Sequence, residues 1–268
     1  MTSMLRIELT TQLLRIRTLI ALACLTAVPA LAAMATAPHA GHRNGDQGGL
    51  FGASTYSALN HTMASLQFIA PLLLPIVVAL LACAIASADR DWGTLRYLYV
   101  APVTRSRLLA GKLGAVAVTT VAATGCVLAG GLLSGLAVFG PHPFHIIDAP
   151  DLTGGDAAAR ILAASGYTLL CMLSIAAIAF TLGLLLPRGA EALGAAIAFV
   201  VVASILNGQS SLHTVAVVLP VHYWQNWTSL FTPAGTHHLG TGILAQIATI
   251  ILTTGIAVLV LHRRDPTA

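Results

Sequence analysis

Six long apolar stretches dominate the hydrophobic pattern of the chain, and short polar segments separate them. An α-helix rises 1.5 Å per residue, so about 20 apolar residues cross a hydrocarbon core about 30 Å thick. Because lipid offers the backbone no hydrogen-bond partner, stretches of this length are expected to form membrane-spanning helices. The predicted spans cover about 18–36, 65–87, 108–139, 160–186, 191–207 and 241–261.

A segment of mixed polarity, residues 5–17, precedes the first span. Leu5, Leu9 and Leu13 recur in it at helical spacing, while arginines and polar residues occupy the other positions. This pattern predicts an amphipathic helix that lies in the membrane interface. The first span also resembles the apolar part of a signal peptide, but the segment before it is long for such a peptide, which favours an uncleaved span.

Two stretches differ from a straight span. Pro71 and Pro75 lie within the second span, and each removes a backbone donor, so this helix is predicted to kink. Between the last two spans, residues 208–240 contain an apolar piece, 215–219, that is too short to cross. Aromatic residues cluster beside this piece, as they do at membrane interfaces. We therefore expect an outer segment that is either re-entrant or interfacial.

The composition agrees with a membrane protein. Hydrophobic residues make up 57% of the 268 residues and charged residues 8%, whereas soluble domains carry about 25% charged residues. The predicted fold is an all-α integral membrane protein with a single transmembrane domain over residues 1–268. The net charge of +4 comes without a basic stripe, which argues against a nucleic-acid partner and leaves the lipid bilayer as the surroundings.

The basic residues also predict an orientation. With the N-terminus inside, eleven of the 13 Lys and Arg residues fall in inner segments. The positive-inside rule thus places both termini in the cytoplasm, and an even number of spans agrees with that. Abundant Ala and the excess of Arg over Lys point to a GC-rich bacterial genome, and the membrane is therefore expected to be a bacterial cytoplasmic membrane.

The residues that self-powered transport requires do not occur in the spans. None of the nine Asp and Glu residues lies in the middle of a span, although carriers driven by protons or sodium usually keep a carboxylate there. Gly111-Lys112 is followed by Leu113, and no glycine precedes it at the spacing of a nucleotide-binding loop. An active transporter built from this chain would need a separate ATPase, so the chain is not predicted to be an enzyme by itself.

The charged connection between the second and third spans carries the most specific pattern. Gly93-Thr94 interrupts the preceding helix and offers a side-chain N-cap, and Pro102 stops the helix that follows. A short amphipathic helix at about 93–101 is predicted, with its polar face toward the cytosol. Such a connection also fits a solvated, positively charged turn.

This connection resembles the corresponding loop of type-2 ABC exporter permeases, in which acidic residues precede Gly-Thr-Leu, and Pro-Val-Ser/Thr-Arg and Gly-Lys follow. In that family the short helix is a coupling helix that docks on the ATPase subunit. The resemblance implies a permease of six spans that pairs with an ABC ATPase, and with a second copy of itself or a related permease. The docking residues that it implies are Asp89, Asp91, Gly93, Thr94, Leu95, Arg96, Pro102 and Arg105.

The same resemblance implies a function. ATP and Mg would bind to the partner ATPase, and no cofactor would bind to this chain. A small or amphipathic substrate, such as a drug, an antibiotic or a lipid-like molecule, would move outward across the membrane. The sequence does not choose among these substrates, although the short outer loops favour a small one.

Histidines on the predicted outer side leave other functions open. Pairs spaced as His-x-x-His would bind a transition metal if their loops converge, but a metal site needs three or four ligands. Solvated loop histidines are the simpler interpretation. The rival functions are a metal-handling protein or membrane enzyme, and a non-transporting immunity or scaffold protein. The candidate ligands are His142, His145, His237 and His238.

Small residues in the spans predict close packing. Gly131 and Gly135 lie four residues apart in the third span, which lets another helix approach closely, from the same chain or from a second copy. The four cysteines fall in four separate spans and form no C-x-x-C pair. We interpret them as packing residues rather than as disulfide partners or zinc ligands.

Overall fold

A computed structural model gives the fold for Thr10 and for residues 15–39, 49–91, 105–146, 150–152, 154–208, 213–232 and 239–263. Within these residues the chain is helical apart from connecting turns and one isolated antiparallel bridge between Phe144 and Leu152. The long helices are α1 (Ile16–Thr36), α2 (Ala58–Ile69), α3 (Leu73–Asp91), α4 (Arg105–Val138), α5 (Gly154–Leu185), α6 (Gly189–Asn207) and α7 (Leu239–Arg263). Single turns and 3-10 helices cover Ala37–His39, Gly49–Phe51, His213–Ala216, Pro220–Tyr223 and Asn226–Phe231.

Five of the helices, α1, α4, α5, α6 and α7, are long and apolar enough to cross a membrane. The pair α2 and α3 adds a sixth crossing if the two helices count as one bent span. The predicted all-helical membrane fold is thus confirmed, with five or six spans in the described part of the chain. The interfacial helix expected over residues 5–17 lies almost entirely outside that part and stays a prediction.

The second span is broken rather than gently kinked. Helices α2 and α3 meet at an angle of 63°, and Pro71 lies in the break between them. Proline has no backbone N–H to donate, so Pro71 itself loses no hydrogen bond when the helix breaks there. Pro75 lies in the first turn of α3, where backbone N–H groups have no partner within the helix and proline is tolerated.

Helix α2 begins at Ala58, earlier than the predicted start near residue 65. Asn60, His61 and Thr62 lower the hydropathy of its first turns, yet all three side chains are buried. His61 Nε2 lies 3.0 Å from the carbonyl oxygen of Pro29 in α1, and the Thr62 hydroxyl donates to the Ala58 carbonyl at 2.8 Å. Hydropathy missed these turns because neighbouring groups satisfy their polar side chains inside the bundle.

Helix α5 is the central helix of the described bundle. Its most apolar 18-residue window is 61% buried, against 11% for α7 and 22% for both α1 and α6. It packs against α3, α4, α6 and α7, while α1 and α2 pack against α4. The outer helices expose large apolar side chains, among them Leu31, Leu244 and Leu252, as expected for helices that face lipid.

The glycines of α4 form a close contact within the chain. A Cβ atom on Gly135 would lie 2.8 Å from the Ala58 Cα, and one on Gly131 would lie 3.0 Å from the Thr62 Cα. Gly130 meets the backbone of α1 in the same way, at the carbonyl oxygen of Thr26. The predicted close helix approach is therefore confirmed as packing of α4 against α1 and α2, so these glycines do not face a second copy.

The helices alternate in direction, so their ends collect at two ends of the bundle. Gly135 of α4 lies against Ala58 at the start of α2, and Lys112 near the start of α4 reaches Ile85 near the end of α3. We call the end that holds the start of α1 and the connection from α3 to α4 the N-terminal end. The opposite end holds the connections from α1 to α2, from α4 to α5 and from α6 to α7.

Candidate functional site

The predicted ATPase-docking segment connects α3 to α4 at the N-terminal end. Helix α3 ends at Asp91 and α4 begins at Arg105, so the backbone of Asp89, Asp91 and Arg105 lies in the two helix ends. The expected helix break at Gly93-Thr94 lies beyond Asp91, outside the described residues, and stays a prediction. The remaining docking residues and the expected coupling helix lie outside the described residues; they are Gly93, Thr94, Leu95, Arg96 and Pro102.

A buried lysine joins the two helices that carry this segment. Lys112 is only 4% exposed, and its Nζ donates to the Ile85 carbonyl of α3 at 2.9 Å. An ammonium group loses its water when it is buried, so it must be hydrogen-bonded within the protein. The bond therefore ties α3 to α4 beside the docking segment. Lys112 was part of the Gly-Lys pattern, but the sequence did not indicate its partner.

Helix α3 is also packed tightly against α5 near the same end. A Cβ atom on Gly183 would lie 2.6 Å from the Ala86 Cβ, so the two helices touch almost backbone to backbone. One turn away, the Cys83 thiol donates to the Ala179 carbonyl at 3.3 Å. A displacement of the end of α3 would therefore reach both α4 and α5.

At the opposite end, two of the candidate metal ligands lie in the loop between α4 and α5. His145 Nδ1 lies 2.6 Å from Asp151 Oδ1, and His142 Nδ1 lies 3.0 Å from the Phe139 carbonyl oxygen. The described residues contain no group of three or more His, Cys, Asp or Glu side chains that could hold a metal. His237 and His238 lie outside the described residues.

The same loop is fastened to α2 by one amide side chain. Asn60 Nδ2 donates to the His145 carbonyl at 2.8 Å, and Asn60 Oδ1 accepts from the His145 N–H at 2.9 Å. Ser57, the N-cap of α2, donates its hydroxyl to the same oxygen at 2.7 Å. Beside the loop, an open and mainly apolar groove of about 530 Å³ separates α2 from α5.

Between α6 and α7 the 3-10 helices Pro220–Tyr223 and Asn226–Phe231 fold into the bundle from the opposite end, and we call residues 220–231 the inserted segment. Its aromatic side chains were interpreted as interfacial, but they are 0–8% exposed and pack among the helices. The aromatic residues are Tyr223, Trp224, Trp227 and Phe231.

Two polar side chains that meet the inserted segment were missed by the sequence analysis. Gln246 of α7 is fully buried, and Tyr167 of α5 is 6% exposed. The available signal was a lone amide in an otherwise apolar span, since polar groups inside a membrane usually have a specific partner.

The sequence matches a known protein family. The family profile described as "ABC-2 family transporter protein" covers residues 8–261, nearly the whole chain, and confirms the resemblance found in the connection from α3 to α4. No curated protein matches the sequence at a significant level. Permeases of this family generally lack ATPase motifs of their own and work with an ABC ATPase. The chain belongs to the ABC-2 family and is a multi-pass membrane component of an ABC transporter.

Proposed function

We propose that this chain is the membrane-spanning subunit of an ABC exporter in a bacterial cytoplasmic membrane, with both termini in the cytoplasm. It moves a small or amphipathic substrate outward, such as a drug, an antibiotic or a lipid-like molecule. A separate ATPase subunit binds ATP and Mg, and no cofactor binds to this chain. A second copy of the chain, or a related permease, completes the membrane part of the transporter.

The observation that carries the proposal is the fastening of α3 beside the docking segment. Lys112 ties the end of α3 to α4, and Gly183 brings α5 against Ala86 of the same helix. A force applied to residues 92–104 by the ATPase would thus act on the central helix of the bundle. This arrangement supports a connection that transmits motion rather than a solvated turn.

The broken second span supports the same mechanism. Helix α3 holds the contacts to α5 and to Lys112, whereas α2 is held by Asn60 to the loop at the opposite end. Because the chain bends by 63° between the two helices, α3 can change its angle without moving α2. The break would act as a hinge between a driven part and a fixed part.

The interior favours an amphipathic substrate over a multiply charged one. Among the described buried side chains, Lys112 is the only Lys, Arg, Asp or Glu, and the other buried polar groups are mostly hydroxyls and amides. A multiply charged molecule would find at most the single charge of Lys112 as a partner among these buried side chains, and desolvating it there would be unfavourable.

Co-purification with the ABC ATPase tests the proposal. We expect Gly93→Pro and Arg105→Glu each to abolish the complex, because the first prevents the expected coupling helix and the second reverses a charge in the docking region. Arg188→Glu is the matched control, since Arg188 lies exposed in the turn between α5 and α6 at the same end. Survival of the complex and of its ATPase activity in both docking variants would show that the docking assignment is wrong.

A further inference from the structure

The inserted segment is attached to two spans through its backbone carbonyls. Gln246 Nε2 of α7 donates to the Pro220 carbonyl at 2.8 Å. From α5, the Tyr167 hydroxyl donates to the Tyr223 carbonyl at 2.8 Å, and Arg160 Nη1 donates to the Leu230 carbonyl at 2.9 Å.

These hydrogen bonds pair backbone carbonyls of the inserted segment. Short 3-10 helices leave carbonyl groups without an intrahelical partner, and an unpaired carbonyl that is shielded from water destabilises the fold. Gln246 also accepts a hydrogen bond from Ser174 Oγ of α5 at 2.5 Å. One side chain thus joins α5, α7 and the inserted segment.

Tyr167 lies on α5, and its hydroxyl fits against α7. A Cβ atom on Gly242 of α7 would overlap the Tyr167 hydroxyl oxygen, so the glycine leaves room for the phenol at the place where it reaches the inserted segment. Gly183, which touches α3, lies on the same helix sixteen residues further along. At 1.5 Å per residue, α5 links the two contacts over about 24 Å.

The segment also contains buried donors that its present position does not satisfy. The indole N–H groups of Trp224 and Trp227 are buried and have no hydrogen-bond partner among the described residues. Buried donors are almost always paired in folded proteins. A second position of the segment, in which these groups meet an acceptor or water, would remove this penalty.

We propose that Tyr167 and Gln246 are positioning residues that tie the inserted segment to α5 and α7, so that movement of α5 during the ATPase cycle displaces the segment. This inference rests on the proposed function. The donors are neutral, and hydrogen bonds of this kind contribute modestly to stability, so they can exchange as the helices shift. A movement of α3 at the N-terminal end displaces α5 through the contact at Gly183. Tyr167 and Gln246 then displace the inserted segment with α5.

A fluorophore on the inserted segment tests this inference. Gln225 is exposed between the two 3-10 helices, so Gln225→Cys is labelled with an environment-sensitive dye after the four native cysteines are changed to alanine. Tyr167→Phe and Gln246→Leu remove the donors. Tyr223→Phe is the matched control, because it removes a hydroxyl whose hydrogen bond, to the Val217 carbonyl at 3.0 Å, stays within the connection between α6 and α7.

The labelled chain is measured alone and in complex with the ABC ATPase, with and without Mg-ATP. We expect the test variants to raise solvent quenching of the dye in the chain alone, and to lose the ATP-dependent change that the control retains. If both variants behave like the control in the chain alone, no such attachment exists. If they raise quenching but keep the ATP-dependent change, the residues only anchor the segment and the inference is wrong.

The two proposals fail in different ways. If no ATPase binds, the proposed function fails and the movement inferred here fails with it, while the quenching of the chain alone still decides whether the side chains hold the segment. Suppose instead that the ATPase binds, but that ATP leaves the dye unchanged in the labelled chain that keeps Tyr167 and Gln246. The proposed function then stands and the inference is overturned.

Discussion

Lys112 places an ammonium group in an interior that otherwise holds, among the described residues, no buried Lys, Arg, Asp or Glu. Its long apolar stem lets an apolar helix face carry the charge, and the Ile85 carbonyl accepts a hydrogen bond from its Nζ. The sequence contained part of this information, since an ionisable residue inside a predicted span indicates a specific partner. The partner lies on another helix, and hydropathy along the chain does not encode that pairing.

Gly135 should tolerate no side chain. In Gly135→Ala the new methyl group would meet the Ala58 Cα at 2.8 Å, and such overpacking destabilises a protein by about 1–3 kcal/mol. Gly125→Ala is the control on the same helix, because no atom lies within 4 Å of its Cβ position, and the change should stabilise the helix by about 0.5–1 kcal/mol. Thermal unfolding in detergent measures both; equal effects would contradict the close contact.

At the scale of the elements, the long apolar runs predicted the helices well. The predicted spans at 108–139 and 241–261 match α4 and α7 to within a few residues, because lipid demands a minimum length of apolar helix. The start of α2 was missed because Asn60, His61 and Thr62 are polar in sequence, although hydrogen bonds within α2 and to neighbouring parts of the chain satisfy them in the fold.

The attachment of the loop between α4 and α5 to α2 could not be predicted from the sequence for a related reason. Asn60 and His145 are 85 residues apart in the chain, and no local pattern indicates that an amide on α2 pairs with a loop backbone. In the structure His145 Nδ1 is paired with Asp151 Oδ1, and His142 Nδ1 lies beside the Phe139 carbonyl oxygen.

Asn60→Leu should loosen this loop. The variant removes both hydrogen bonds to the His145 backbone, so hydrogen exchange at residues 144–146 should become faster by an amount equivalent to about 1–3 kcal/mol. Asp151→Asn is the control, because it weakens a partly exposed pair worth about 0–1 kcal/mol. Faster exchange in the control than in Asn60→Leu would show that the ion pair, and not the amide, holds the loop.

For the whole molecule, the alternation of the helices makes the orientation testable. Arg188 lies exposed at the N-terminal end and Gln225 lies exposed in the inserted segment. In intact cells, a membrane-impermeant maleimide should label Gln225→Cys and leave Arg188→Cys unlabelled until the membrane is opened. The reverse pattern would place the termini outside and contradict the distribution of basic residues.

The length of the central helix has a consequence for the surrounding lipid. With 32 residues, α5 is about 48 Å long, well beyond a hydrocarbon core of about 30 Å. When the tilt of this central helix changes, the helices packed around it tilt too, so the bundle changes the thickness of apolar surface that it presents, and bilayers resist such mismatch. The balance between two tilts of α5 should therefore depend on acyl-chain length, so the thickness of the host membrane would itself regulate transport.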